Sequence, residues 1–370
     1  MKISRELSSY LDLLRFVAAL AVMLGHMDQD GIPMNWIPIA KFSHESVIIF
    51  FVLSGFIIYN NTKSKNINSK EYSIARTSRI YSVALPAIFF SFLVSWAVEL
   101  WASQPFPRSH LFFSFNDFFG SLFFLNQSWD NQTKLTLNNP YWSLCYEVWF
   151  YAIFGVFVFM RGQTRWFFLT IVALFAGPAI LVLFPLWIMG AWAASHVHNE
   201  VRWVGWLPWV AFLFAPFLIL VVNMNGIDVS VREELKHLVP GFWRLRESQR
   251  FISDYAIGIA LVVHLLAFSS LPKGFHSFLN MWKKTFANWA SFSFTLYLFH
   301  RPMTKVIGHY FSDYFQSAWH AALAAIMVFF SCWAISLFTE KQLPAWRQGL
   351  HAIFRIFENQ FIHRHKNTEK

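Results

Sequence analysis

The stretch LDLLRFVAALAVMLGH, residues 11–26, decides the fold. With its flanks it forms an apolar segment of about 20 residues, the length at which a helix crosses a bilayer. The rest of the chain has the same character, since 56% of the 370 residues are hydrophobic and 14% are charged. A water-soluble chain of this size could not bury so much apolar surface. We therefore expect an all-α fold, a polytopic integral membrane helix bundle.

Further apolar segments recur along the chain, and inside a bilayer their backbone groups must be satisfied internally, which favours helices. The segment from Phe112 to Leu125 is too short to span and is expected to be re-entrant or interfacial. The remaining segments predict about ten transmembrane helices, near 9–28, 46–61, 80–101, 141–160, 166–182, 183–196, 204–223, 251–270, 286–306 and 318–338.

The distribution of lysine and arginine predicts the orientation of these helices. If the N-terminus is inside, most basic residues fall in cytoplasmic connections, which predicts that both termini are cytoplasmic. Residues 1–340 are then the membrane domain and 341–370 a basic tail. The net charge of +10 follows from this bias and from contact with anionic membrane lipid, so no nucleic acid partner is expected. Apolar residues recur in the tail at helical spacing and predict an amphipathic helix on the inner leaflet: Leu350, Ile353, Phe354, Phe357 and Phe361.

Ionisable residues inside membrane spans are costly and often mark function. Arg15 and His26 share the first helix, and their spacing of eleven places them within about 20° of one face and roughly 16 Å apart along the axis. One reading is a functional face that carries a cation and an imidazole. The other is that Arg15 snorkels to the interface and His26 is a satisfied polar residue at the outer boundary.

A second polar group lies in YWSLCYEVWFY, residues 141–151, where Ser143, Glu147 and Tyr151 are spaced four apart on one helical stripe. A buried carboxylate needs a partner, so Glu147 is expected to pair with an Arg or His of a neighbouring helix. A structural ion pair and a catalytic role both remain open for Glu147.

Basic residues at the start of the third span form a third group. Arg76 and Arg79 lie on one helical face, which suits phosphates or lipid headgroups, although the positive-inside bias alone also explains them. His196 and His198 lack a third ligand, and we predict no metal site.

Several segments resemble elements of the membrane acyltransferase-3 family, bacterial ten-span O-acyltransferases that act on cell-surface glycans. LDLLRFVAALAVMLGH is similar to the family's first helix with its Arg and His, and IIFFVLSGFIIY to its Phe-Phe-x-x-Ser-Gly-Phe signature. ARTSRIYSVALP resembles the Arg-x-x-Arg-Ile element, although Ala75 and Thr77 flank Arg76 where the family often has another Arg. YWSLCYEVWFY and FSFTLYLFHRP are similar to later elements. The matching residues are Arg15, His26, Phe50, Phe51, Ser54, Gly55, Phe56, Arg76, Arg79, Ile80, Trp142, Ser143, Leu144, Glu147, Phe150, Tyr151, Ser293, Tyr297, Leu298 and His300.

This resemblance implies a multi-pass protein of the bacterial cytoplasmic (inner) membrane. It implies transfer of an acyl group, most often acetyl from acetyl-CoA, to a hydroxyl of an envelope, exported or lipid-linked saccharide. No permanently bound cofactor is expected, because the acyl-CoA is a substrate. The implied catalytic residues are His26 as general base and Glu147 as an orienting group. The implied donor-binding residues are Arg15, Arg76, Arg79, Ser54 and Ser143, supported by Trp142, Tyr151, Tyr297 and His300.

Other readings remain open at this stage. Ser54 could form an acyl-enzyme, or it could serve with Gly55 to let two helices pack closely. A transporter or flippase of a lipid-linked saccharide would use the same intramembrane charges without chemistry. A scaffold protein would not explain why Arg15, His26 and Glu147 lie inside membrane spans, where ionisable residues cost free energy. The sequence leaves the acceptor glycan and the oligomeric state open.

Overall fold

We describe a computed structural model of the chain, which covers residues 3–101, 114–197, 203, 205–315 and 317–368, with the backbone alone at 101 and 357–368. Every regular element of this part of the chain is helical. The α-helices are α1 Arg5–Gln29, α2 Ser43–Ser64, α3 Ser69–Trp101, α4 Phe115–Leu122, α5 Tyr141–Phe159, α6 Gly162–Ala176, α7 Pro178–His196, α8 Leu207–Met224, α9 Ile227–Leu238, α10 Phe251–Ala267, α11 Lys273–Met281, α12 Lys283–Ala290, α13 Ser293–Phe311, α14 Ala318–Ser336 and α15 Leu343–Thr368.

Within the described ranges, eight helical segments are long and apolar enough to cross a membrane: Arg5–Gln29, Pro38–Ser64, Ser69–Leu100, Tyr141–Phe159, Pro178–His196, Leu207–Met224, Phe242–Ser270 and Ala318–Ile356. The predicted all-α membrane bundle is confirmed. Two predicted spans are not among the eight. They correspond to α6, which is too short at 15 residues, and to α13, which is more polar because it contains His300, Arg301 and Lys305. The count of ten and the cytoplasmic termini therefore stay predictions.

Some predicted boundaries were wrong for identifiable reasons. The fifth and sixth spans meet at Gly177 rather than at Val182, because Gly177 has a φ of 82° and Pro178 opens the next helix. Only glycine adopts such a φ readily, and proline is well suited to a first helical position. The predicted ninth span, 286–306, is two helices, since Ser291 and Phe292 separate α12 from α13.

The short segment before residue 125 agrees with the prediction that it does not span. Its helix α4 has eight residues and is therefore about 12 Å long. Phe112 lies outside the described residues. In the tail, α15 confirms the predicted helix, while its place on the inner leaflet stays a prediction. The side chains of Phe357 and Phe361 lie outside the part that the structure describes.

Close packing of α2 on α7 fixes one wall of the bundle. A Cβ atom at Gly55 would overlap the carbonyl oxygen of Trp187, and one at Gly190 would overlap the carbonyl oxygen of Val52. Such small residues let membrane helices approach until their backbones touch. The predicted packing role of Gly55 is confirmed, and the approach brings Ser54 to the interior of the bundle.

The helix α13 runs beside α1 and links the two ends of the bundle. Near its start, Thr295 donates its backbone N–H to the Glu340 carboxylate at 3.1 Å. One turn beyond His300, the Thr304 hydroxyl donates to Asp30 at 2.7 Å, just past the end of α1. We call these two ends the Glu340 end and the His26 end. The polar residues of α13 therefore run along the bundle interior from one end to the other.

Candidate active site

A cavity of about 360 Å³ opens at the Glu340 end between α1, α2, α3, α5, α13 and α15. Arg347 at its mouth is exposed, whereas Ser143 and Tyr297 at its inner limit are buried. Most of the residues predicted for the site line this cavity, although they come from five helices. They are Arg15, Ser54, Arg76, Arg79, Ser143, Glu147, Tyr151 and Tyr297.

The mouth of the cavity is rich in guanidinium groups. Arg76 and Arg79 lie one turn apart on α3, which places both on the face turned to the cavity. Arg79 forms an ion pair with the buried Glu340 at 2.6 Å, and its guanidinium lies 5.4 Å from the centroid of the Phe294 ring. Arg79 is thus held in place by two neighbours before any ligand arrives.

Arg76 is held differently. Its guanidinium lies 5.8 Å from the centroid of the Tyr151 ring, and its Nε is buried without a hydrogen-bond partner. Arg15 has Asp12 at 3.9 Å. Among the described residues, neither Arg76 nor Arg347 has an ion-pair partner. Two guanidinium groups from different helices therefore remain able to bind an anion.

Glu147 lies at the centre of a hydrogen-bonded cluster. Its Oε1 accepts hydrogen bonds from the hydroxyls of Ser54, at 2.7 Å, and Tyr151, while Trp187 Nε1 donates to the Ser54 oxygen at 3.3 Å. The predicted pairing of Glu147 with an Arg or His was wrong within the described residues. The spacing of four on α5 supplies Tyr151, and the close approach of α2 to α7 supplies Ser54 and Trp187.

The cavity ends at a hydrogen bond between α5 and α13. The hydroxyls of Ser143 and Tyr297 lie 2.7 Å apart, and both side chains are buried. The predicted stripe of Ser143, Glu147 and Tyr151 is confirmed, since all three face the cavity. Beyond this point the Tyr297 ring meets His300 edge to face, with 6.4 Å between ring centroids. Tyr297 therefore separates the cavity from a second polar group.

That second group is a pair of histidines. His26 Nδ1 lies 2.9 Å from His300 Nε2, and His300 Nδ1 lies 2.8 Å from the carbonyl oxygen of Leu296. The carbonyl can only accept, so His300 Nδ1 carries a proton. In a neutral His300 the other nitrogen then accepts a hydrogen bond from His26 Nδ1–H. His26 Nε2 is consequently left with a free lone pair.

The backbone around His26 is anchored to α13. Arg301 donates to the carbonyl oxygen of His26 at 2.9 Å and pairs with Asp30 at 3.0 Å. Arg301 and His300 are buried, and His26 and Asp30 are half-buried. The structure therefore turns His26 toward α13, where its ring is hydrogen-bonded, and both readings of His26, the functional face and the satisfied polar residue at the outer boundary, remain compatible with this position. His26, His300 and Trp142 do not line the cavity itself.

Sequence reasoning missed three residues of the site. Glu340 follows the last predicted span, where a lone carboxylate after an apolar segment was an available signal. Trp187 and Arg347 gave no comparable signal, because one lies in a uniformly apolar helix and the other in a generally basic tail. His196 stacks on Trp192, and His198 lies outside the described residues. In the part described, no group of three or more His, Cys, Asp or Glu could hold a metal ion.

Comparison with known proteins gives one match. The acyltransferase-3 family model, described as an acyltransferase domain, matches residues 8–337. This range contains nearly every residue of the cavity and both histidines. No curated protein and no solved structure matches the chain significantly.

Proposed function

Because the chain belongs to the acyltransferase-3 family and is thus an enzyme of acyl transfer, we propose that it moves an acetyl group from acetyl-CoA to a hydroxyl of a cell-envelope or exported saccharide. The observation that carries this proposal is the alignment of two features along α1 and α13. An arginine-lined cavity opens at one end, and a histidine with a free ring nitrogen lies behind its inner limit. Such a layout suits a donor that enters from one side of a membrane and an acceptor that is presented from the other.

The arginines support a phosphorylated donor. Charge-assisted hydrogen bonds from guanidinium groups to phosphate are strong and often bidentate. Arg76, with its unpartnered Nε, is the first candidate to hold a CoA phosphate, and Arg15 of α1 lines the same cavity. We assign the Glu340 end to the cytoplasm, where acyl-CoA is available, in agreement with the positive-inside prediction. The bacterial inner membrane is the corresponding location.

The thioester would lie at the inner limit of the cavity. To approach His26 it has to pass the hydrogen bond between Ser143 and Tyr297, so this pair is the position where donor and catalytic histidine meet. Glu147 orients Ser54 and Tyr151 beside that path. In this proposal Glu147 shapes the cavity wall, and the proton transfer belongs to His26.

The chemical step follows from the state of the His26 ring. Nε2 accepts the proton of the acceptor hydroxyl as the oxygen attacks the thioester carbonyl carbon. The new C–O bond forms, the C–S bond breaks, and the departing thiolate takes the proton back from the imidazolium. His300 keeps the proton of neutral His26 on Nδ1, so that the base presents Nε2 to the reaction.

The direct test uses membrane vesicles that contain the chain, acetyl-CoA labelled in its acetyl group, and the surface glycan of the source cell. Covalent label on the glycan is the expected result. Label that crosses the membrane without becoming covalently attached would favour the transporter alternative. Mass spectrometry of glycans from cells with and without the gene identifies the added group and its recipient.

A further inference from the structure

The C-terminal helix α15 forms part of the cavity wall. Leu343 and Arg347, one turn apart at its start, both line the cavity. The helix is held against α3 by His351, whose Nε2 lies 3.7 Å from a Glu71 oxygen, and by Phe354, whose ring centroid lies 5.9 Å from the Lys70 ammonium. The position of Arg347 is therefore set by contacts outside the cavity.

The charges that line the cavity do not balance each other pairwise. Its four arginines face three carboxylates, and each carboxylate has a neighbour already. Glu340 pairs with Arg79, Glu147 accepts from two hydroxyls, and Asp12 lies nearest Arg15. Arg76 and Arg347 are left, on the neighbouring helices α3 and α15. This arrangement provides two positive charges for a ligand that carries more than one negative charge.

We propose that Arg347 binds a phosphate of the acyl donor and makes the C-terminal helix part of the donor site, an inference that rests on the proposed use of acyl-CoA. Arg347 then determines specificity, since it favours a phosphorylated nucleotide thioester over a thioester without phosphate. It is remote from the reacting atoms because it lies at the exposed mouth, whereas the thioester belongs at the buried inner limit.

The same chemistry could come from the phosphate of an anionic lipid, and the two sources make different predictions. If Arg347 binds a phosphate of the donor, replacing Arg347 weakens CoA binding even in a bilayer of neutral phosphatidylcholine. If Arg347 binds a lipid phosphate instead, replacing Arg347 has an effect only when anionic lipid is present, and CoA binding does not change.

The experiment uses the full chain in phosphatidylcholine nanodiscs and compares Arg347→Gln with Arg355→Gln. Arg355 is a matched control, because it is exposed on the same helix two turns further on and does not line the cavity. The dissociation constant of CoA is measured by calorimetry, and KM is measured for acetyl-CoA and for S-acetyl-pantetheine, which lacks the nucleotide and its phosphates.

We expect Arg347→Gln to weaken CoA binding and to raise KM for acetyl-CoA by about tenfold or more, the effect of one charge-assisted hydrogen bond. KM for S-acetyl-pantetheine should not change, and Arg355→Gln should match the wild type. For Arg347→Lys, KM for acetyl-CoA should lie between the values of the wild type and of Arg347→Gln, since lysine keeps the charge but lacks the planar guanidinium.

Three results would overturn the assignment. They are a wild-type chain that does not bind CoA, an Arg347→Gln variant that binds it as tightly as the wild type, and a variant impaired equally for both donors, which would make the helix merely structural. Calorimetry separates this inference from the proposed function. If the chain binds CoA through Arg347 but transfers no acetyl group, the inference stands and the proposed function fails.

Discussion

His26 Nδ1 and His300 Nε2 lie 2.9 Å apart, although 274 residues separate them in the chain. The bond joins the last turn of α1 to the middle of α13, and a second bond from His300 to Leu296 fixes its direction. A general base must present an unprotonated nitrogen to its substrate. This pair of hydrogen bonds explains how His26 could do so through Nε2.

Replacing His300 should slow the reaction without affecting donor binding. In His300→Leu, His26 Nδ1–H loses its acceptor and the ring is free to take the other tautomer. We expect kcat to fall about ten- to a hundredfold, part of the contribution of general base catalysis, with KM for acetyl-CoA unchanged. Steady-state kinetics over a range of pH measures both quantities.

His300→Asn is the matching conservative variant, because its amide oxygen can accept from His26 and part of the activity should return. A merely structural role for His300 would give equal losses in both variants and no change in the shape of the pH profile.

Arg76 and Arg79 should differ when replaced singly. Arg76→Gln removes a guanidinium without an ion-pair partner and should raise KM for acetyl-CoA about tenfold or more at little cost in stability. Arg79→Gln removes the partner of buried Glu340 and should lower Tm, since breaking a buried pair costs about 3–5 kcal/mol before allowance for the partial exposure of Arg79.

Thermal unfolding in detergent, together with donor kinetics, separates these two effects. The double variant Arg79→Gln with Glu340→Gln should recover part of the lost Tm, because no charge is left buried alone. Equal effects of the two single variants on KM and Tm would contradict the assignment.

Glu147 should tolerate loss of its charge better than loss of its oxygen. Glu147→Gln keeps an acceptor for the Ser54 and Tyr151 hydroxyls and should retain most of the activity. Glu147→Ala removes the acceptor of the buried Tyr151 hydroxyl and of the half-buried Ser54 hydroxyl and leaves these two groups only each other, 3.2 Å apart, at a cost of about 1–3 kcal/mol. Kinetics on matched amounts of inserted protein tests this order. A Glu147→Gln variant as inactive as Glu147→Ala would instead make the negative charge essential.

The contact of α2 with α7 should not accept a side chain at Gly55. Gly55→Ala places a methyl group on the carbonyl oxygen of Trp187 and should destabilise the bundle by about 1–3 kcal/mol, as overpacking does. Gly349→Ala is the control, because it is also a helical glycine but has no neighbour within 4 Å of an added Cβ. Its Tm should stay equal or rise slightly. Equal losses of Tm in both would refute close packing as the reason for Gly55.

Much of the bundle was predictable from the sequence, because apolar length and helical spacing are local properties. The helix that holds Arg15 and His26, and the stripe of Ser143, Glu147 and Tyr151, could be read from spacing alone. The boundary at Gly177 could not be read from hydrophobicity, because the residues on both sides of it are apolar. A glycine followed by a proline was the better signal.

The partners of the site residues were harder to predict. Glu147 was expected to meet a cation, yet it meets two hydroxyls: that of Ser54, which the packing of α2 brings to it, and that of Tyr151 on its own helix. His300 was expected to support the site, but its bond to His26 depends on how α1 and α13 are placed relative to each other. Arg347 lies in a tail whose charge already had an explanation in lipid contact. Each of these depends on long-range packing, which spacing along a single chain does not encode.

The central claim is that His26 is the general base, and the most direct measurement is mass spectrometry of the surface glycan in cells that carry His26→Ala. The variant should insert and accumulate like the wild type, because His26 is only one of several contacts between α1 and α13. We predict a glycan without the acetyl mass shift seen in cells with the wild-type chain. A glycan acetylated to the wild-type level in the variant would contradict the account.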